Sequence, residues 1–108
     1  MFERKRHTPI EELLRFDPQG DCIANALANA IRAMKHGVNR EDIKIIFVGN
    51  NIDHAYLVIG KRSYNQGVTW GNKVYPDMSV KTLERLVENG KAWDITDLLL
   101  LTSLVWFK

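Results

Sequence analysis

Hydrophobic and polar positions along the chain repeat with helical spacing in two segments. Between about Asp21 and His36 apolar residues recur every three or four positions among many alanines, and Gly37 follows, which predicts a helix that ends there. The abundance of small residues indicates a central, buried helix. A second amphipathic helix is predicted after the capping residue Ser79, closing at Gly90.

Strands are predicted where β-branched and aromatic residues cluster between polar turns. The two clearest runs are 43–48 and 54–59, and a third strand is predicted at Val68–Trp70, with 73–75 extending or following it. The apolar tail 98–107 predicts a final strand, with a short helix as the alternative. This order predicts an α+β fold in which a central N-terminal helix packs on a small antiparallel sheet.

Length and composition limit the class of protein. The chain has 108 residues, of which 45% are hydrophobic, and this predicts one domain spanning residues 1–108 with a real core. A short additional helix is predicted to start at Thr8 and Pro9, since threonine can cap and proline suits the first helical position. The net charge of +2 comes in part from the run 4–7, which is expected to be a solvated tail, so no nucleic acid is expected as a partner.

A single cysteine excludes a disulfide framework and any multi-cysteine metal site. Cys22, His54 and Asp77 lack the paired spacing of zinc ligands, so we expect neither a metal nor another cofactor. No signal peptide is visible, and the longest apolar run, at 98–101, is too short to cross a bilayer. We therefore expect a cytoplasmic protein without membrane contact, whose thiol stays reduced.

Cys22 is the candidate nucleophile. Gly20 permits a sharp entry to the helix and Asp21 can cap it, so Cys22 falls in the first helical turn. Free amides and the helix dipole at that position favour a thiolate and would lower the pKa of the thiol. The structural alternative is that the lone cysteine is a small buried hydrophobe.

His54 is the candidate base. It follows a polar turn and opens an apolar strand, where we expect it to be partly exposed. If that strand packs against the Cys22 helix, the imidazole can take the thiol proton and return it to a leaving group. An ordinary polar residue at a strand end is the alternative.

The order of these features resembles a known superfamily. Gly20-Asp21-Cys22 opening an alanine-rich helix, the turn from Gly37 into the strand 43–48, and the strand that starts His54-Ala55 together resemble the transglutaminase-like superfamily, and most closely the bacterial transglutaminase-like cysteine peptidases. The resemblance covers roughly residues 20–75. It implies a papain-like core in which Cys22 is the nucleophile and His54 the general base.

The third catalytic residue of that family is where this chain departs from the pattern. In that family an aspartate usually lies near the end of the next strand after the histidine strand, whereas this chain has Asn72 at that place, and an asparagine could still orient the imidazole. Asp77 is the second option, although a turn residue after a proline is the simpler explanation for it. For the oxyanion hole, the Cys22 amide and the Gln19 side chain are the candidate donors, with a loop-forming role for Gln19 as the alternative.

Two functions are compatible with these residues. The first is a small cysteine hydrolase or acyltransferase that acts on an amide bond of a protein or peptide substrate through the pair Cys22 and His54. The second is a catalytically inactive binding module on the same scaffold, suited to a phage or mobile-element accessory protein that binds a host protein. The small size and the absent aspartate favour the second, and the oligomeric state stays open.

Overall fold

The computed structural model describes residues 10–49, 53–65 and 75–97. The three α-helices are α1 Ile10–Leu13, α2 Cys22–Lys35 and α3 Val80–Glu88, and a 3₁₀ helix spans Arg40–Asp42. The four strands are β1 Ile43–Val48, β2 His54–Ile59, β3 Arg62–Asn65 and β4 Ala92–Asp94.

The strands form one antiparallel sheet in the order β3-β2-β1-β4. β1, β2 and β3 are a meander, and β4 adds to the free edge of β1. A two-residue turn joins β2 to β3, and Gly60 at its first position has a φ of 63°, a left-handed conformation that favours glycine. The predicted α+β class and small antiparallel sheet are thus confirmed.

Helices cover both faces of the sheet. On one face α2 presents its alanines, including Ala26 and Ala30, to Leu57 of β2, and the absence of bulk lets helix and strand approach closely. On the other face Leu83 of α3 packs against Val58. Every residue of β2 is therefore buried, because it is the central strand of a three-layer arrangement.

The helix ends follow the sequence expectations. The Asp21 carboxylate accepts a hydrogen bond from the Ala24 amide at 2.7 Å, and the Ser79 hydroxyl accepts one from the Thr82 amide at 3.1 Å. Gly37 follows α2 with a positive φ of 102°. Among the described helices, none has the length and apolarity needed to cross a bilayer.

Several predicted strands differ from those observed. No strand was predicted at 62–65, but these residues form β3, since pairing with β2 outweighs their polar composition. β4 was not predicted. The strands expected at 68–70 and in the tail 98–107 lie outside the described residues.

Candidate functional site around Cys22 and His54

Cys22 is the first residue of α2 and lies between that helix and β2. Its side chain is 6% exposed and belongs to the same buried cluster as Ala55. The backbone amides of Ala55, of Ile23 and of Cys22 itself lie near enough to the sulfur to lower the pKa of the thiol. The helix start thus places the thiol among backbone donors, at the beginning of the strand that carries His54.

The pKa of the Cys22 thiol moves in the direction opposite to the sequence prediction. Burial raises the pKa above its ordinary value of 9.0, the Ala55 amide opposes this rise, and the negative charge of Asp21 adds to it. The predicted lowering by the helix terminus was therefore wrong, because desolvation of the thiolate outweighs the amides. The resting form at neutral pH is a thiol.

His54 is completely buried, whereas partial exposure was expected. Its ring stacks on Tyr75, with centroids 4.2 Å apart and planes 6° from parallel, and meets Tyr56 edge-on at 4.9 Å. Burial lowers the pKa of His54 below its usual value of 6.5, and the hydrogen bond to Asn65 opposes this effect. The imidazole is therefore neutral at neutral pH.

The tautomer of His54 follows from its contact with Asn65. The Asn65 Nδ2 donates to the Tyr75 carbonyl at 2.8 Å, which leaves Oδ1 directed at His54 Nε2, 2.6 Å away. Since Oδ1 can only accept, Nε2 must carry the hydrogen. In a neutral ring Nδ1 then holds a free lone pair, and this buried atom has no hydrogen-bond partner among the described residues. Such an orphaned acceptor is a candidate proton acceptor.

Asn65 was not among the predicted site residues. Asn72, the residue expected to orient His54, lies outside the described residues. Asp77, the second option, is exposed, and no hydrogen bond joins it to His54 in the described part of the chain. The register could have revealed Asn65, because a two-residue turn at Gly60 sets Tyr56 opposite Asn65 and makes His54 its diagonal neighbour.

Cys22 and His54 approach the start of β2 from its two faces. Successive residues of a strand point to opposite faces. Ala55 faces Cys22, so His54 leaves the strand on the other side, where its ring meets Tyr56. Within residues 10–49, 53–65 and 75–97 no hydrogen bond connects the thiol to the imidazole. The thiol is nevertheless close to the His54 backbone, because the Ala55 nitrogen is two covalent bonds from the His54 Cα.

A short strap, defined as residues 75–78, covers His54. Three side chains of β2 and β3 hold its backbone carbonyls: Tyr56 donates to Pro76 at 2.6 Å, Asn65 donates to Tyr75, and Ser63 donates to Met78. Burial, together with the charge of Asp77, raises the pKa of Tyr56 to about 12, so its hydroxyl stays a donor. The strap fixes the Tyr75 ring that stacks on the imidazole.

A buried asparagine shapes the loop that precedes Cys22. The Asn25 Oδ1 accepts from the Asp17 amide at 2.7 Å, while its Nδ2 donates to the carbonyls of Asp17, Gly20 and Asp21 at 2.9–3.1 Å. Gln19 lies exposed within this loop, and its backbone amide donates to the Asp17 carboxylate at 2.9 Å. Its role as an oxyanion donor stays a prediction.

Replacing Asn25 by alanine is expected to lower the free energy of unfolding by about 1–3 kcal/mol, since it leaves polar groups of the loop without partners. Asn29, one turn later, binds the amide and carbonyl of Arg15, both at 2.9 Å, and offers a matched control. Both variants should lose stability in urea unfolding. Only Asn25→Ala should also change the rate at which a disulfide reagent modifies Cys22 in the folded protein; equal rates in the two variants would contradict this role.

No group of three or more metal-ligating side chains converges within the described residues. Comparison of the chain with protein-family models, with curated proteins and with solved structures finds no match. The function must therefore be argued from the site itself.

Proposed function

We propose that this protein is a small cysteine hydrolase or acyltransferase that acts on an amide bond, with Cys22 as the nucleophile, His54 as the general base and Asn65 as the residue that orients the resting imidazole. The observation that carries the proposal is the state of His54. Its Nε2 is held by Asn65, and its Nδ1 is a buried acceptor to which no described residue donates. The amide of the next residue, Ala55, lies near the thiol. Asparagine orients the imidazole without requiring a carboxylate.

The reaction starts from a neutral pair. As the Cys22 sulfur attacks the substrate carbonyl, its proton passes to His54 Nδ1, and the carbonyl oxygen gains the negative charge. The amides that surround the sulfur in the resting protein, those of Cys22 and Ala55, are the donors available to that oxyanion. Collapse of the intermediate breaks the C–N bond, and the leaving amine takes the proton from Nδ1.

A thioester on Cys22 remains after the first step. Water, or the amine of a second substrate, then attacks it while Nδ1 accepts the proton of the attacking molecule, and the thiol is regenerated when that proton returns to sulfur. Because Cys22 and His54 lie on opposite faces of β2, the imidazole must first turn around the start of the strand to reach the sulfur, and this movement breaks its hydrogen bond to Asn65. Asn65 fixes the tautomer in the resting protein.

Acylation by 4-nitrophenyl acetate, followed by intact-mass spectrometry, tests the proposal. The wild type is expected to form one acetyl adduct at Cys22 that disappears on standing, and Cys22→Ala is expected to form none at that site. A wild-type thiol that is acylated only after unfolding would contradict the proposal.

A second candidate is an inactive binding module that contacts a host protein. The burial of the thiol and of His54, together with the raised pKa of the thiol, favours it. A stoichiometric partner captured equally by the wild type and by Cys22→Ala, with no acyl adduct in either, would support the binding module over the enzyme.

A further inference from the structure

A groove lies on the α3 face of the sheet, away from Cys22. It has a volume of about 540 Å³ and is bounded by α3, β1, β2 and β4. Its floor is apolar, formed by Ile46, Val58 and Leu83, which are buried residues of the core on that face. Val58 is four residues from His54 along β2, or about 13 Å, so this groove is separate from the candidate active site.

The rim of the groove is acidic. Only one cationic side chain, Lys44, is among the described lining residues, against five carboxylates: Glu41, Asp42, Glu84, Glu88 and Asp94. The ion pairs of the described chain are Arg40 with Asp97 and Arg62 with Glu11, so none of the five is neutralised by one. This concentration of negative charge stands in a chain whose net charge is +2.

We propose that this groove binds a basic amphipathic segment of a partner protein. Lysine or arginine side chains would lie at the acidic rim, and the apolar residues between them would cover the floor formed by Ile46, Val58 and Leu83. The charge of the rim selects cations over anions and raises the association rate for a basic partner. The carboxylates of the described residues do not converge in the manner of a metal site. Because they are spread along the groove, they can pair with several lysine or arginine side chains of an extended segment.

The apolar floor distinguishes this partner from a small hydrophilic cation. A polyamine would satisfy the charges but leave the floor in contact with water, whereas an alternating basic and apolar segment satisfies both. The rim also disfavours a purely apolar segment, because such a ligand would take hydration from carboxylates that no described cation neutralises, without replacing it. Affinity should therefore depend on both charge and hydrophobicity.

Fluorescence anisotropy with two labelled twelve-residue peptides tests the inference. In the first peptide arginine alternates with leucine, and in the second serine replaces every leucine. The wild type is expected to bind the first peptide at least tenfold more tightly than the second. Equal affinity for both peptides would overturn the proposal, since it would show charge attraction alone.

The rim is tested with a matched pair of charge reversals. The double variant Glu84→Lys with Glu88→Lys changes two exposed residues of α3, and it should lower the affinity for the leucine-containing peptide by about tenfold or more. The double variant Glu12→Lys with Asp53→Lys changes the net charge equally at exposed positions outside the groove, and it should change the affinity less than about twofold. Equal losses in the two variants would overturn the proposal. If the first variant fails to fold, Glu84→Gln with Glu88→Gln replaces it, with the same direction expected.

Discussion

Replacing His54 by glutamine should slow acylation of Cys22 at neutral pH by about 10²- to 10⁴-fold, the range that a positioned general base contributes. The loss is expected to be large because the thiol has a raised pKa and carries little thiolate of its own at that pH. Glutamine fills much of the buried space and keeps a donor for Asn65, so the fold should survive. The measurement is the rate of acetyl-adduct formation with 4-nitrophenyl acetate, followed by intact mass.

Two substitutions of Asn65, measured in the same assay, test its role in orienting His54. Asn65→Ala removes the acceptor that fixes the His54 tautomer, so the acylation rate should fall, but by less than in His54→Gln because the base is still present. Asn65→Asp places a negative charge beside the ring and should raise the pKa of His54. If neither Asn65 variant changes the acylation rate while His54→Gln does, the positioning role of Asn65 is wrong.

The second large effect is expected in the core that supports α2. Leu57 of β2 is fully buried between Ile45 and Tyr64 on the neighbouring strands, on the face that α2 covers. Leu57→Ala should lower the free energy of unfolding by about 2–5 kcal/mol, through lost apolar contact and the cavity that remains. Such a loss is a large part of the total stability of a small domain.

Urea unfolding followed by fluorescence measures this loss. Phe16, which is 50% exposed, supplies the control, and Phe16→Ala should change the stability by no more than about 0.5 kcal/mol. Similar losses in the two variants would mean that β2 is not the centre of the core. Because α2 carries Cys22 at its start, Leu57→Ala should also make the thiol more accessible.

The sequence pattern predicts the central helix and the two middle strands well. The helical spacing of apolar residues among many alanines predicts α2 to within one residue of its observed ends, Cys22–Lys35. The apolar runs 43–48 and 54–59 predict β1 and β2 with their observed bounds. These elements are predictable because local composition and tertiary burial favour the same state. The caps at Asp21 and Ser79 are likewise local.

The outer strands could not be predicted in the same way. β3 is polar, and it is a strand because a turn at Gly60 returns the chain along β2. β4 is only three residues long and depends on β1, from which it is separated by more than forty positions. Neither β3 nor β4 can be recognised from its own residues, since both strands depend on backbone pairing with another part of the chain.

The positions of Cys22 and His54 in the fold were predictable from the sequence, but their environment was not. Cys22 and His54 were chosen from their positions at the starts of a helix and a strand, and both do occupy those positions. The pKa of the thiol was predicted in the wrong direction, because sequence position indicates the helix dipole but not burial. Asn65 was missed since its proximity to His54 depends on the register of β2 and β3.

The pH dependence of Cys22 acylation in the wild type and in His54→Gln tests proton transfer from Cys22 to His54 most directly. Because burial lowers the pKa of His54 below 6.5, the imidazole is already neutral at pH 6.5, and the neutral form is lost only as the pH falls through a lower value. The wild-type rate should therefore be sustained through neutral pH and decline in acid, whereas the His54→Gln rate should rise only as the thiol ionises, above pH 9.0. Superimposable profiles for the two proteins would contradict a proton transfer from Cys22 to His54.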